Sequence, residues 1–122
     1  MLDRILSLIV DKLKDSITLH APTLTTAVNA GASWLRYVQF GKIVIFTGAI
    51  ATTSSLSAGT ILATGFPQSF AANAPFTMMD NNSSSSFVTA YVNNADGTGK
   101  LRTAAATSGN RSWRISGAYI SQ

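Results

Sequence analysis

The first eighteen residues carry apolar positions at helical spacing. Between Leu2 and Ile17 the apolar residues recur at spacings of three and four, and neither glycine nor proline interrupts them. This spacing places apolar side chains on one face of an α-helix. We therefore predict an N-terminal helix over residues 1–18 that serves oligomerisation or attachment. The predicted interface positions on its apolar stripe are Leu2, Leu6, Ile9, Leu13 and Ile17.

The apolar stripe of this helix needs a cover, because an isolated helix of this length is only marginally stable in water. Three surfaces would bury the stripe: the chain's own domain, other copies of the helix in a short bundle, or a membrane surface. Wide apolar faces suit three-stranded bundles better than two-stranded ones. Self-association into a homotrimer is therefore the preferred prediction.

The pattern changes at about residue 18, where short β-rich runs between turn signals replace the helical spacing. Such runs, without any βαβ pattern, predict an all-β protein, an antiparallel β-sandwich or jelly roll. Residues 19–33 would form a linker and the first strand, and residues 34–122 the sandwich head. The predicted strands are Leu24–Ala30, Trp34–Phe40, Lys42–Ala51, Thr60–Thr64, Phe76–Asp80, Phe87–Asn93, Lys100–Ala106 and Ser112–Ser121.

Two consequences follow from this strand order. In an antiparallel fold each connection reverses the chain direction, so the turns alternate between two ends. This alternation places the polar loops around residues 81–86 and 107–111 at the end away from the helix. In addition, Ile43–Phe46 is apolar at four successive positions. A strand that is apolar on both faces is covered on both, and we expect a neighbouring subunit to be the second cover.

The residue inventory argues against catalysis. The chain has 122 residues, no cysteine, no glutamate and a single histidine, His20. Thiol chemistry and disulfides are therefore excluded, and a metal site is not expected. Asp80 and Asp96 are the only carboxylates after residue 17, and the Asp-Gly turn at residues 96–97 accounts for the second. Because a glycosidase needs a pair of carboxylates, we expect a protein that is not an enzyme, with no catalytic residue and no cofactor.

The charge distribution argues against two further partners. The net charge is +4, and all of it falls after residue 17 on six dispersed basic residues. Nucleic-acid binding is not expected, since it needs clustered lysine and arginine. Membrane insertion is not expected either, because no apolar run approaches ~20 residues. The apolar segment Ile5–Val10 is short and is followed at once by charges, so we predict synthesis in the cytoplasm without a signal peptide.

Three stretches point to a known group of proteins. They are Trp34–Ile50, Leu56–Pro67 and Lys100–Ser121, with an aromatic-Gly-Lys-Ile-Val entry, a Gly-Phe-Pro segment and a closing Trp-x-Ile-x-Gly-x-Tyr-Ile strand. Together they resemble the C-terminal head domains of tail-fibre or receptor-binding proteins from phages and prophages of Gram-positive bacteria. The resemblance implies a trimeric β-sandwich head at the tail tip or fibre of a virion. It also implies two kinds of partner, a host cell-wall or capsular saccharide and other tail or baseplate proteins.

The candidate ligand-binding residues are chosen by chemistry, because the resemblance supplies no binding motif. Loops carry function on such scaffolds, and amide and guanidinium groups bind sugar hydroxyls. Exposed aromatic rings could stack on sugars, although aromatic residues in strands more often belong to a core or interface. The candidates are Asn81, Asn82, Asn110, Arg111, Trp34 and Tyr91.

Two other function classes stay open beside a non-enzymatic receptor-binding head. One is a structural virion component, a capsid decoration or baseplate protein that binds another viral protein. The other is a polysaccharide depolymerase, which the shortage of carboxylates disfavours.

Overall fold

One α-helix and eight β-strands make up the described part of the chain. The computed structural model describes residues 1–16, 18–81, 86–95, 97–107 and 111–122, with the side chains of residues 10–16 and 95 outside the description. The helix and strands, in chain order, are α1 Leu2–Ser16, β1 Thr23–Leu24, β2 Trp34–Phe40, β3 Ile43–Thr52, β4 Ile61–Phe66, β5 Asn73–Asp80, β6 Phe87–Ala95, β7 Thr98–Thr103 and β8 Arg111–Ile120.

Helix α1 forms where the apolar spacing predicts it. Asp3 lies in its first turn, where a negative charge favours the helix dipole. The described side chains of the stripe, Leu2, Leu6 and Ile9 among them, are at least 47% exposed. Burial of these residues on the chain's own domain, one of the three possible covers, is therefore wrong. Leu13 and Ile17 lie outside the described side chains. Among the described residues, no helix is long and apolar enough to cross a membrane.

All eight described strands belong to one antiparallel sheet, in the order β1-β4-β7-β6-β5-β8-β3-β2. Within it, β4-β7-β6-β5 and β8-β5-β6-β7 are overlapping Greek keys. The prediction of an all-β antiparallel fold with a short N-terminal helix is confirmed. The predicted sandwich or jelly roll has two sheets, whereas here a single sheet rolls up and nearly closes on itself.

His20 brings the two edges of the sheet together. It lies just before β1 and pairs with Tyr37 of β2 through two backbone hydrogen bonds of 2.8 and 2.9 Å. The two rings stack with centroids 4.9 Å apart, and the Tyr37 hydroxyl donates to the carbonyl of Gly65 in β4 at 3.4 Å. The segment predicted to be a linker is therefore the seam of a nearly closed barrel.

The interior of the barrel is filled by one apolar core. The ring of Phe46 packs edge-on against Phe66 and Phe76, with centroids 5.5 and 4.7 Å away. Gly117 faces these rings, and a Cβ at this position would collide with Phe76. The largest fully buried apolar side chains of the core are Phe46, Phe66, Leu35, Ile50, Leu62, Met78, Leu101, Val44 and Val92.

The strand directions separate the connections into two groups. Because every neighbouring pair is antiparallel, odd-numbered strands run one way and even-numbered strands the other. The connections β1–β2, β3–β4, β5–β6 and β7–β8 share one end, which we call the distal end. The chain enters from α1 at the opposite, proximal end. Asn81 and Arg111 thus lie at the end away from the helix entry, as predicted.

Candidate functional site

The outer face of the sheet carries its side chains in rows that cross the strands. Alternation along each strand sends every second residue outward, and the register aligns these residues between strands. One of these rows joins Arg36, Thr47 and Ser116. The row nearer the distal end crosses β2, β3, β8 and β5 as Trp34, Ala49, Arg114 and Met79. An indole, a guanidinium and a thioether therefore lie beside a row of hydroxyls.

These rows enclose a shallow groove of about 260 Å³, which we call the Trp34 groove. Trp34 and Met79 are 41% and 39% exposed, so much of the indole and thioether surface is open to solvent. Gly48 lets β2 approach β3 beneath the groove, because a Cβ there would collide with the Trp34 carbonyl. The groove is lined by Trp34, Thr47, Gly48, Thr77, Met79, Arg114, Ile115 and Ser116.

Asn81 connects the distal turn to this groove. Its backbone N–H donates to the Ser112 carbonyl at 2.8 Å, and its side-chain Oδ1 accepts a hydrogen bond from Nε of Arg114 at 3.4 Å. Arginine carries several N–H donors on one planar group, and this described contact uses one of them. Asn81 thus positions a guanidinium at the edge of the Trp34 groove. The candidates Asn82 and Asn110 lie outside the described residues.

Arg111 has a structural contact of its own. Its Nη1 lies 2.8 Å from Oδ2 of Asp80, whose side chain is 1% exposed. A buried carboxylate is costly unless it is paired, and Arg111 supplies a positive charge from a side chain that is 41% exposed. The structure therefore ties this candidate ligand residue to the stability of the distal end.

Tyr91 lines a separate depression of about 320 Å³ on the outer face of β5 and β6, which we call the Tyr91 groove. Next to it, Arg102 is held in place by donating from Nε to Oδ1 of Asn93 at 2.9 Å and from Nη1 to the Gly59 carbonyl at 3.0 Å. Tyr91 is half-buried and pairs with Pro75 on one side and Arg102 on the other. The groove is lined by Asn73, Pro75, Thr89, Tyr91, Asn93 and Ala104.

On strands β2, β3 and β8 the proximal half of the outer face is apolar. Val44 and Phe46 point into the core while Ile43 and Ile45 are exposed, which confirms that β3 is apolar on both faces. Phe40, Ile43 and Ile120 form one cross-strand row. We call the whole surface the apolar patch, and its members, between 44% and 76% exposed, are Phe40, Ile43, Ile45, Phe70 and Ile120.

Two phenols of the described residues are perturbed by burial. Burial raises the pKa of the Tyr119 phenol, with a smaller effect of Tyr37, and its hydroxyl donates to the Pro67 carbonyl at 2.7 Å. Burial also raises the pKa of Tyr37. Within the described ranges, no group of three His, Cys, Asp or Glu side chains is placed to hold a metal ion.

Sequence reasoning selected Trp34, Tyr91 and Asn81 but missed the groove residues around them. Thr47, Thr77 and Ser116 are ordinary strand residues in the sequence, and only the cross-strand register brings them together. The outward position of Arg114 was predictable, because alternation along β8 places it on the face opposite the buried Trp113.

No model of a known protein family matches this chain, and no curated protein sequence is significantly similar to it. The function proposed below therefore rests on the geometry of the outer face and on the resemblance of the three sequence stretches.

Proposed function

We propose that this protein is a non-enzymatic receptor-binding head that attaches a phage virion to a saccharide on the host cell surface. The observation that carries the proposal is the Trp34 groove, in which an exposed indole lies beside a guanidinium and a row of hydroxyls. Aromatic faces suit the C–H surfaces of sugar rings, while hydroxyl and guanidinium groups match sugar hydroxyls. The phage setting, at the tail tip or fibre, is supported by the sequence resemblance.

The proposal includes assembly into a trimer that docks on other tail proteins. The exposed stripe of α1 and the apolar patch are apolar surfaces that favour burial against protein. Trp34 and Arg114 lie towards the distal end of the same face that carries the patch. A single shallow groove would bind a sugar weakly, and several grooves in one assembly raise the avidity without new contacts.

The test is retention of the purified protein on cell walls from a panel of Gram-positive bacteria. Trp34→Ala should reduce binding to the walls that retain the parent by tenfold or more, equal to about 1.4 kcal/mol. Leu19→Ala removes a residue that is 65% exposed and lies outside the groove, so it is the matched control. Unchanged retention of both Trp34→Ala and Arg114→Ala would exclude the Trp34 groove as the site.

A structural virion component, such as a capsid decoration or baseplate protein, is the second candidate. The apolar patch favours it, because exposed apolar surfaces of this kind bind other proteins. The two candidates differ in one observable. A receptor-binding head binds isolated walls with no other viral protein present, whereas a purely structural component binds no wall and no glycan.

A further inference from the structure

We infer that the Trp34 groove and the Tyr91 groove are two subsites of one track, which binds a linear saccharide chain lying across the strands of the sheet. This inference rests on the proposed function and deepens it. It extends the single Trp34 groove to a longer site for consecutive sugars of a polymer.

The two grooves meet at strand β5. Thr77 lines the Trp34 groove and Thr89 lines the Tyr91 groove, and these two residues are direct cross-strand partners. Pro75, two residues before Thr77 on the same outward-facing side of β5, lines the Tyr91 groove. No strand therefore separates the two depressions.

A row of hydroxyls runs from one groove to the other. Thr47 pairs with Ser116, and Thr77 pairs with Thr89. Met78 is opposite Ile115, and continuing this antiparallel register by one residue places Thr77, which precedes Met78, opposite Ser116, which follows Ile115. Both line the Trp34 groove. The row crosses β3, β8, β5 and β6, and neighbouring strands are about 4.8 Å apart, so its hydroxyls extend over about 14 Å. That length accommodates more than one sugar ring.

The aromatic rings at the two ends distinguish this row from ordinary strand composition. Threonine is common on sheet surfaces for conformational reasons, so the hydroxyls alone indicate no ligand. Here Trp34 on β2 lies one row nearer the distal end than the hydroxyls and Tyr91 on β6 lies one row nearer the proximal end, each within a groove. Four strand spacings separate β2 from β6, or about 19 Å along the surface. Two aromatic platforms with hydrogen-bonding groups between them suit a chain of sugars.

The charge on the track narrows the class of saccharide. Arg114 lies in the Trp34 groove, and Arg102 is held beside Tyr91. Of the acidic side chains that the structure describes, Asp80 is buried and paired with Arg111 and Asp3 is on the helix. A chain with free amino groups would be repelled, so the track takes neutral or acidic saccharides.

The experiment measures affinity for linear glucose, N-acetylglucosamine and rhamnose oligosaccharides of graded length, from disaccharide to hexasaccharide. Retention on isolated cell walls is measured with the same proteins. The variants are Trp34→Ala, Tyr91→Ala, Tyr91→Phe and Thr89→Val. Thr23→Val is the matched control, because Thr23 is an exposed strand residue on β1 outside both grooves. Thermal unfolding of each variant establishes that it is folded.

We expect parent affinity to rise with chain length. Tyr91→Ala should lower hexasaccharide and wall binding by tenfold or more while leaving disaccharide binding within twofold. Tyr91→Phe keeps the ring and should stay within threefold of the parent, and Thr89→Val should fall between Tyr91→Phe and Tyr91→Ala. Trp34→Ala should weaken binding at every length, and Thr23→Val should change nothing.

The outcomes separate the two proposals. If Tyr91→Ala binds hexasaccharides and walls like the parent while Trp34→Ala does not, the track is wrong and the receptor-binding function stands. Equal affinity of the parent protein for disaccharide and hexasaccharide would likewise show that the track is wrong while the receptor-binding function stands. If the parent binds neither the oligosaccharides nor any wall, both the function and the track are overturned.

Discussion

At the scale of single residues, the contact between Arg111 and Asp80 decides how the distal end can be tested. The carboxylate of Asp80 is nearly inaccessible to solvent, and the guanidinium reaches it from a partly exposed position. A residue chosen for binding thus also contributes to stability. Loss of wall binding in a variant of Arg111 alone would not distinguish the two effects.

Arg111→Ala should lower the free energy of unfolding by about 2 kcal/mol, because it removes a charged hydrogen bond from a buried carboxylate. Urea denaturation measures the change. Arg114→Ala is the matched control, since this exposed arginine lies three residues further along the same strand, and its effect should stay below about 0.5 kcal/mol. In a double-mutant cycle, the variant with both Arg111→Ala and Asp80→Asn should lose less stability than the sum of the losses in the two single variants. Additive losses would contradict the pairing.

The buried phenol of Tyr119 predicts a loss of stability in alkaline solution. Burial raises its pKa in the folded protein, whereas the unfolded chain releases the proton at a pH of about 10. The contribution of the neutral phenol to the free energy of unfolding is therefore complete below about pH 10. It is lost as the pH rises from there towards the pKa of Tyr119 in the folded protein. Tyr119→Phe should be slightly less stable at neutral pH and should decline less steeply above about pH 10. Urea denaturation at graded pH tests this, and parallel alkaline declines would refute it.

At the scale of the elements, the strand pattern predicted most of the sheet. Strands β2 and β8 were placed within one residue at each end, because the sequence has turn residues beside them, Gly41 after β2 and Ser-Gly-Asn at positions 108–110 before β8. The first strand was predicted over Leu24–Ala30 but is only Thr23–Leu24. The Thr25 hydroxyl donates to the Ile61 carbonyl at 2.6 Å and accepts from the Ala27 N–H at 3.3 Å. A side chain that bonds locally in this way turns the chain out of the strand.

Strand β5 begins at Asn73, three residues before its predicted start at Phe76. The proline at position 75 argued against an earlier start. Pro75 is accommodated because it pairs with Tyr91 of β6, whereas the pairing of β5 with β8 begins only at Met78. The backbone nitrogen of Pro75, which has no hydrogen to donate, can then lie on the side away from β6, where no strand is paired with it.

The candidate site was less predictable than the strands. Trp34 and Tyr91 could be selected because ring chemistry is visible in the sequence. Their neighbours come from strands far away in the chain, as Arg114 does for Trp34. Sheet order and register set these neighbours, and both depend on long-range pairing that no local pattern encodes. The alternation of chain direction was enough to place Asn81 and Arg111 at the distal end.

At the scale of the whole molecule, the proposed trimer has a direct test. Light scattering on a size-exclusion column should give about three times the chain mass of 12.8 kDa. Leu6→Asp combined with Ile9→Asp should shift the protein towards monomer, because both residues lie on the exposed stripe of α1 and each buried apolar side chain contributes roughly 2 kcal/mol.

Ser7→Asp is the matched control, since it adds a charge to the same helix away from the stripe. Ile45→Asp probes the apolar patch separately. A parent protein that is monomeric at micromolar concentration would rule out the trimer. Equal dissociation by Ser7→Asp and by the paired stripe variant would show that general charge, and not the stripe, controls assembly.

The seam formed by His20 also determines how the barrel would respond to mechanical load. If α1 is the attachment to the virion, as proposed, a pull between virion and host enters the barrel through the residues just after the helix. The first contacts under tension are the paired backbone bonds of His20 and Tyr37, followed by the two-residue ladder between Thr23–Leu24 and β4. Such a short seam can peel open a few bonds at a time. Strand β2, which carries Trp34, forms the other side of that seam and is also paired with β3 along its whole length. The Trp34 groove would therefore hold its ligand while the tether lengthens.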